Sequence, residues 1–380
     1  GGADFVGNSS KVTEITIYKK GYPYEEIGIA SMVFNDVCGY ISMKIALVHD
    51  WLVRLGGAER VLIALHKIFP AAPVYTLFYD KKFVSQYLPG AEIKASYLQR
   101  FPNIKKIHPW LKFLMPSAVE SFNFSPPGGT FDLVISSSHE FSHGVLVKPQ
   151  TKHICFYHSP SRIIWDRAHE FVKDFKERGR GWFKVSLIKG GQHFLRIWDW
   201  SASRRPDIIV ANSNHVAQRI KKYYRREAKV IYPPVTKNFV PQRSYPAGFS
   251  SYFLMVNQLY PHKNIELAVR TFKNLPNLNL VIIGQGPEYR NLKFKIKNLK
   301  LMNVKLLGFV SDEELKSYYQ NCVGYLICNE EDFGISPIEA MSFGKPVLAY
   351  KSGGAKEYVV EGKTGEFFEI LEPNTLTDKI

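Results

Sequence analysis

Two glutamates flank a glycine where a predicted strand gives way to a helix. Glu331 precedes Gly334, and Glu339 follows it inside a predicted helix, Ser336–Phe343. Backbone N–H groups and the helix dipole at such a helix start bind anions, typically phosphates. A carboxylate beside them would repel a phosphate, so we expect it to accept hydrogen bonds from the neutral hydroxyls of a sugar or a ribose. The pattern indicates a site for a phosphorylated ligand with hydroxyls; two solvated surface charges are the alternative.

The turn between the two glutamates contains residues suited to this task. Gly334 lets the backbone pass close to a ligand, because glycine has no side chain to obstruct it. Ser336 is a favoured helix cap, and Pro337 suits the first helical position. We therefore expect Ser336 to cap the helix.

These residues belong to the second of two series in which short apolar strands alternate with helices. The first series starts at Met43, the second starts at Tyr252, and residues 233–250 between them are rich in Pro and Gly. The first has predicted strands at Lys44–His49, Phe131–Ser136, Ile154–Tyr157, Ile208–Ala211 and Lys229–Tyr232, and helices at Gly57–Ile68 and Asn214–Tyr224. The second has strands at Phe253–Val256, Leu278–Ile283, Val304–Leu307, Val323–Cys328 and Pro346–Ala349, and helices that include Asn264–Leu275, Asp312–Tyr319 and Ser336–Phe343.

Such alternation predicts an α/β fold with parallel sheets. We expect two Rossmann-like, doubly wound domains that face a central cleft, at residues 43–240 and 251–380. Residues 1–42 have no clear helical period and do not begin with Met, and we interpret them as a leader or an extension. The last predicted helix starts at Asn374, so the C-terminus looks truncated.

The chain is basic overall, with a net charge of +16, but the charge is uneven. Residues 43–250 hold 32 Lys and Arg against 14 Asp and Glu, whereas residues 251–380 hold 15 of each. A net +18 on one half favours an anionic partner, which could be nucleic acid, an acidic membrane or a phosphorylated substrate. A solvated basic surface is the alternative.

Composition narrows the class of protein further. Four scattered cysteines do not make a disulfide framework, and neither a signal peptide nor a transmembrane stretch is visible. These features predict a protein of the reducing cytoplasm, peripheral on the inner face of the cell membrane if its basic half meets lipid.

The spacing of Glu331 and Glu339 matches the E-x7-E motif of the retaining glycosyltransferases of family 4, and the chain resembles that family over about residues 43–375. This family has the GT-B fold of two Rossmann-like domains. The segments that agree with it in order and spacing are Gly56-Gly57-Ala58-Glu59, Val256-Asn257-Gln258-Leu259 with Lys263, Ile283-Gly284-Gln285-Gly286-Pro287, Ser352-Gly353-Gly354 and Gly362-Lys363-Thr364-Gly365. Further segments, His158-Ser159-Pro160-Ser161-Arg162 and Ile231-Tyr232-Pro233-Pro234-Val235, resemble a subgroup of GDP-mannose-dependent mannosyltransferases of polysaccharide assembly.

The resemblance implies a nucleotide-sugar site in the second domain. The implied donor contacts are Gly57, Gln258, Lys263, Gly334, Ile335, Ser336 and Glu339. Lys263 would neutralise the donor diphosphate, Glu331 would hold sugar hydroxyls, and Glu339 would hold the ribose. Gln258 stands where the family usually has Arg, so it can donate a hydrogen bond but supplies no charge. A solvated lysine at a helix start is the alternative for Lys263.

On the acceptor side the resemblance implies Gly56 and Arg162, with His158 near the transferred sugar or in the core. A lipid-linked saccharide is the expected acceptor. Residues 104–115, which mix Lys with Trp, Phe and Leu, could contact a membrane; a buried helix or loop with exposed lysines is the alternative. The sequence has no Asp-x-Asp motif, so we expect metal-independent transfer without a cofactor, with the anomeric configuration retained.

Four other functions are alternatives, and the sequence argues against two of them. A UDP-sugar-dependent transferase or a nucleotide-sugar epimerase would share the fold. A dinucleotide oxidoreductase would need Gly-x-Gly-x-x-Gly after the first strand, and residues 50–60 contain only Gly56-Gly57. A nucleic-acid-binding protein would need a recognition motif, and we find none.

Overall fold

The computed structural model describes residues 43–125, 129–177, 182–235 and 248–380. The predicted leader and part of the predicted linker lie outside these residues. The chain divides into two compact units, with the division after Pro234. We call them the N-terminal unit and the C-terminal unit. The domain limits expected from the sequence stay a prediction.

The described part of the N-terminal unit forms a parallel sheet of seven strands in the order β3-β2-β1-β4-β5-β6-β7. The strands are β1 (Ile45–Leu52), β2 (Val74–Tyr79), β3 (Ile93–Ala95), β4 (Leu133–Ser138), β5 (Lys152–Tyr157), β6 (Ile208–Ala211) and β7 (Lys229–Val230). The helices are α1 (Gly57–Ile68), α2 (Lys81–Tyr87), α3 (Ile104–Ile107), α4 (Met115–Glu120), α5 (Ala168–Glu177), α6 (Trp182–Ala202) and α7 (Asn214–Tyr224).

The C-terminal unit repeats this architecture within its described residues, with six parallel strands in the order β10-β9-β8-β11-β12-β13. The strands are β8 (Phe253–Val256), β9 (Leu280–Ile283), β10 (Val304–Gly308), β11 (Gly324–Ile327), β12 (Val347–Tyr350) and β13 (Gly365–Phe368). The helices are α8 (Ile265–Lys273), α9 (Tyr289–Asn298), α10 (Asp312–Asn321), α11 (Ile335–Ser342), α12 (Ala355–Tyr358) and α13 (Pro373–Thr377).

Both sheets are buried on both faces, as their continuous apolar strands require. In β1, Leu47 packs into one apolar cluster and Val48 into another on the opposite face. In β8, Leu254 and Met255 divide in the same way. The predicted fold class, two parallel α/β sheets, is therefore confirmed.

The structure adds elements that the sequence pattern missed, namely the strands β2, β3 and β13 and the helices α2 to α6 and α12. Residues 104–115 are not one helix: α3 is followed by two short 3₁₀ turns, at His108–Trp110 and Lys112–Leu114. Among the described residues, no helix is both long and apolar enough to cross a membrane. The three described cysteines, Cys155, Cys322 and Cys328, are buried free thiols.

Candidate active site

In the C-terminal unit, Lys263 and Glu331 meet at the carboxyl end of the sheet. Lys263 ends a 3₁₀ turn that follows β8, and Glu331 lies in the loop between β11 and α11. The Lys263 ammonium donates to both carboxylate oxygens of Glu331, over 2.6 and 2.8 Å. The Asn329 amide donates to Glu331 Oε1 over 3.0 Å. Residues 68 positions apart in sequence thus form one ion pair.

This ion pair is only partly shielded from solvent. The side chains of Lys263 and Glu331 are 17% and 18% exposed. Burial acts to raise the pKa of Glu331, but the Lys263 charge and the hydrogen bonds from Lys263 and Asn329 outweigh it, so the pKa is lowered. Glu331 is therefore ionised at neutral pH, with side-chain partners that a ligand could replace.

Two glycines hold the Glu331 loop against its neighbours. Gly353 has φ of +63°, and a Cβ there would lie 2.2 Å from the Glu331 carbonyl oxygen. That carbonyl accepts a hydrogen bond from the Gly354 N–H over 2.8 Å. The Ser352-Gly353-Gly354 segment therefore fixes the backbone that carries Glu331.

The helix after Glu331 begins earlier than the sequence predicted. Gly334, with φ of +87°, is the residue before the helix, and α11 starts at Ile335. The expectation that Ser336 caps the helix was wrong, because the left-handed turn at Gly334 lets the helix start directly after it. The first N–H groups of a helix have no partner within it, so Ile335 and Ser336 present donors, whereas Pro337 has none.

Two further predicted donor contacts in the C-terminal unit are Glu339 and Gln258. Glu339, inside α11, accepts a hydrogen bond from the buried Tyr319 hydroxyl over 2.9 Å. Gln258 follows β8 and has an exposed side chain. The structure thus joins Lys263 to Glu331 directly, and it joins Glu339 to Tyr319 of α10.

In the N-terminal unit, the predicted glycines stand at the start of α1. Gly56 is the residue before the helix, in an extended conformation, and Gly57 is its first residue and is exposed. Arg162 lies in the loop after β5, where its Nε is 3.4 Å from Asp166 Oδ2. Arg219 from α7 contacts the same carboxylate over 2.7 Å.

His158 directly follows β5 and takes part in a row of polar side chains. Its Nε2 lies 2.8 Å from the Ser137 hydroxyl, which lies 3.2 Å from His49 Nδ1. His49 Nε2 in turn is 3.7 Å from Glu59. Burial lowers the pKa of His158 well below its usual value, so this ring is neutral at pH 7.

The same edge of the sheet holds a buried aspartate–histidine pair that was not predicted from the sequence. Asp50, near the end of β1, accepts hydrogen bonds from four successive backbone N–H groups, those of residues 139 to 142, over 2.6–2.9 Å. The His139 ring nitrogen Nδ1 lies 2.8 Å from Asp50 Oδ2. Burial opposes the charge on His139, but the Asp50 carboxylate raises its pKa to about 9. The sequence feature that could have indicated this pair is an aspartate near the end of the first strand.

No set of three or more His, Cys, Asp or Glu side chains that could hold a metal ion occurs within the described ranges.

Comparison with known proteins agrees with this architecture. A family model described as glycosyl transferases group 1 matches residues 243–380. An uncharacterized glycosyltransferase of Methanocaldococcus jannaschii is 29% identical over 192 residues, which are 50% of this chain and 52% of the relative, so the match spans about half of that protein. The alpha-1,3/1,6-mannosyltransferase ALG2 of Dictyostelium discoideum is 28% identical over 379 residues and 85% of each chain.

Among solved structures, Anabaena HepE in complex with UDP and glucose superimposes with a TM-score of 0.62, at 20% identity over 88% of each chain. This likeness concerns the fold. Residues 243–380 thus match the group 1 glycosyltransferases, the mannosyltransferase ALG2 is similar over most of the chain, and the fold is the GT-B fold of glycosyltransferases that use nucleotide-sugar donors.

Proposed function

We propose that this glycosyltransferase moves mannose from GDP-mannose to a lipid-linked saccharide during cell-surface polysaccharide synthesis, with retention of the anomeric configuration. The observation that carries the proposal is the Lys263–Glu331 ion pair beside the start of α11. It combines a cation for a diphosphate with a carboxylate for sugar hydroxyls. The mannosyltransferase ALG2 of Dictyostelium discoideum, which aligns with 85% of this chain, supports mannose as the sugar.

Each donor-side residue has a role that its contacts allow. Lys263 would turn from Glu331 to the diphosphate, and Gly334, Ile335 and Ser336 would offer backbone N–H groups to phosphate and sugar oxygens. The released Glu331 carboxylate would accept hydrogen bonds from the sugar. Glu339, oriented by the Tyr319 hydroxyl, would accept from the ribose.

Gln258 would add an uncharged hydrogen bond to the donor, and Gly57 stays a predicted donor contact. Gly56 and Arg162 are proposed for the acceptor. His158 is proposed for the transferred sugar. As a neutral ring it can accept or donate a hydrogen bond without adding a charge.

The proposed reaction needs no metal ion. As the bond from the sugar to the diphosphate breaks, negative charge grows on the leaving phosphate, and Lys263 with the α11 N-terminus stabilises it. The acceptor hydroxyl attacks from the same face and gives its proton to the leaving phosphate oxygen. We expect activity to survive EDTA; loss of activity that Mg²⁺ or Mn²⁺ restores would contradict this. An NMR assignment of the product anomer tests retention, and an inverted product would refute it.

The donor is the first point to test. Thermal unfolding should be measured with GDP-mannose, GDP, UDP-glucose and UDP, because a ligand that binds the native state raises the unfolding temperature. We expect the largest rise with GDP-mannose. UDP-glucose is the second candidate, since Anabaena HepE was solved in complex with it. A rise with UDP-glucose alone would replace GDP-mannose by a UDP-sugar.

A further inference from the structure

Helix α6 of the N-terminal unit turns a row of large apolar side chains toward solvent. Leu187, Phe194, Ile197 and Trp200 are 61%, 53%, 58% and 42% exposed. At 100° per residue, these four positions cover about 140° of the helix circumference. We call them the α6 stripe. Single exposed apolar residues are common, but four on one face of one helix are not.

The opposite face of α6 is firmly attached to the unit. Buried Asp199 accepts hydrogen bonds from the Trp165 indole N–H over 2.7 Å and the Tyr224 hydroxyl over 2.8 Å. At the edge of the stripe, Trp198 donates to Glu120 over 2.8 Å. The helix is therefore held in one orientation, and the stripe cannot turn inward without breaking these bonds.

Positive charge surrounds the α6 stripe. Residues 182–205 hold five Lys or Arg and a single acid, Asp199, which is buried. Lys184 and Lys189 are exposed near Leu187, and the Arg204 guanidinium lies 4.2 Å from the centre of the Trp200 ring. The outward face of α6 is thus apolar in the middle and cationic at both ends.

We propose that the α6 stripe rests on a phospholipid bilayer with anionic headgroups, its apolar side chains at the acyl boundary and its cations among the headgroups. An apolar face with flanking Lys and Arg is the composition that binds such a surface. A second copy of this chain fits less well, since pairing two stripes would bring like charges together. The proposal rests on the proposed function, because a lipid-linked acceptor lies at the membrane. What it adds is that α6 makes the membrane contact.

The test is co-sedimentation at low salt with phosphatidylcholine vesicles, with and without phosphatidylglycerol. We expect the wild-type chain to bind only the phosphatidylglycerol vesicles. The triple variant Leu187→Ser/Phe194→Ser/Ile197→Ser should bind them at least tenfold more weakly. The matched control, Phe294→Ser/Met302→Ser/Phe309→Ser, removes three apolar side chains of the C-terminal unit that are more exposed than those of the α6 stripe, and it should bind like wild type.

A second variant, Lys184→Glu/Lys189→Glu, changes only exposed charges and should also weaken binding to these vesicles. It tests the proposal even if the triple variant misfolds. Wild-type binding by both variants would overturn the proposal. It would also fail if Trp110→Ser/Phe113→Ser alone abolished binding, or if wild type formed a dimer that the triple variant lost. The rise in unfolding temperature with nucleotide, measured in the same proteins, tests the donor proposal separately. The α6 variants should show the same rise as wild type.

Discussion

Each unit has a carboxylate paired with a cation at the carboxyl end of its parallel sheet, but the two pairs differ in what holds them. Asp50 of the N-terminal unit is fully buried and bonded to four backbone N–H groups besides its contact with His139. Glu331 of the C-terminal unit is partly exposed and bonded to the side chains of Lys263 and Asn329.

The difference separates a structural carboxylate from one that can exchange partners. Breaking the Asp50 contacts would leave several buried N–H groups without partners, which is costly. The Lys263–Glu331 bonds can pass to the phosphate and hydroxyls of a ligand without such a loss. A charged pair at a strand end is therefore a stronger candidate for a binding site when side chains rather than the backbone hold it.

The largest expected effect is on stability, from Asp50→Asn. The amide has one acceptor oxygen for four N–H donors, so at least two buried donors lose their partner, at about 1–3 kcal/mol each. We expect the free energy of unfolding to fall by roughly 3 kcal/mol or more. Denaturant unfolding followed by tryptophan fluorescence measures this, because all six tryptophans lie between residues 51 and 200.

The matched change in the other pair is Glu331→Gln. It should lower the free energy of unfolding by less than about 1 kcal/mol, as for partly exposed ion pairs. Equal losses in the two variants would remove the distinction between the pairs.

Next in size is the effect of Glu331→Ala on catalysis. If Glu331 holds the sugar mainly in the transition state, turnover should fall roughly 10²-fold or more. The control is Glu369→Ala, which removes an exposed carboxylate of the same unit that pairs with Lys351 over 2.9 Å, and it should keep wild-type turnover. An unchanged rate in Glu331→Ala would exclude Glu331 from the site.

The Asp50–His139 pair also predicts a pH dependence. The pKa of His139 is about 9 in the folded protein, against roughly 6.5 for an unfolded chain. The folded state therefore binds this proton more tightly, and its stabilisation is complete below pH 6.5 and lost as the pH rises through 9. Between pH 7 and 8 the loss should be about 1.4 kcal/mol per pH unit. Tryptophan-monitored unfolding of wild type against His139→Gln measures it, and equal slopes for the two proteins would contradict the assignment.

The smallest effects concern two tyrosines of the C-terminal unit. The Tyr358 hydroxyl is buried, has no hydrogen-bond partner among the described residues and lies 2.9 Å from where a Cβ on Gly334 would stand. The Tyr252 hydroxyl is buried but donates to the Tyr318 carbonyl over 3.0 Å. Tyr358→Phe should therefore raise the free energy of unfolding by about 1 kcal/mol, and Tyr252→Phe should lower it by about as much. Equal changes in both variants would mean that the Tyr358 hydroxyl is satisfied.

The sequence predicted most of the elements that have strong local patterns. The bounds of α1, α7, β6 and β8 agree with those expected, because their periodicity and flanking breakers are local signals. β3 has only three residues, each half-buried, and β13 lies in a glycine-rich stretch, so neither produced a clear pattern. The early start of α11 depends on the left-handed backbone at Gly334, which the sequence pattern did not reveal.

The candidate site was predictable only in part. The resemblance selected Lys263 and Glu331, and the structure brings them into contact. The residues that surround Asp50 are about 90 positions away in sequence, and no local signal connects them. Backbone N–H donors can come from any residue type except proline, so composition does not reveal the donors around Asp50. Side-chain pairs with a family spacing can be found from sequence, whereas contacts made by the backbone cannot.

The central claim is that Lys263 binds the diphosphate of the donor. It is tested most directly by titration calorimetry of GDP-mannose with wild type and Lys263→Met, which keeps the length of the side chain and removes its charge. We expect wild type to bind and the variant to bind at least tenfold more weakly, because hydrogen bonds to charged groups contribute about 1.5–3 kcal/mol. Equal affinity in the two proteins would contradict the claim.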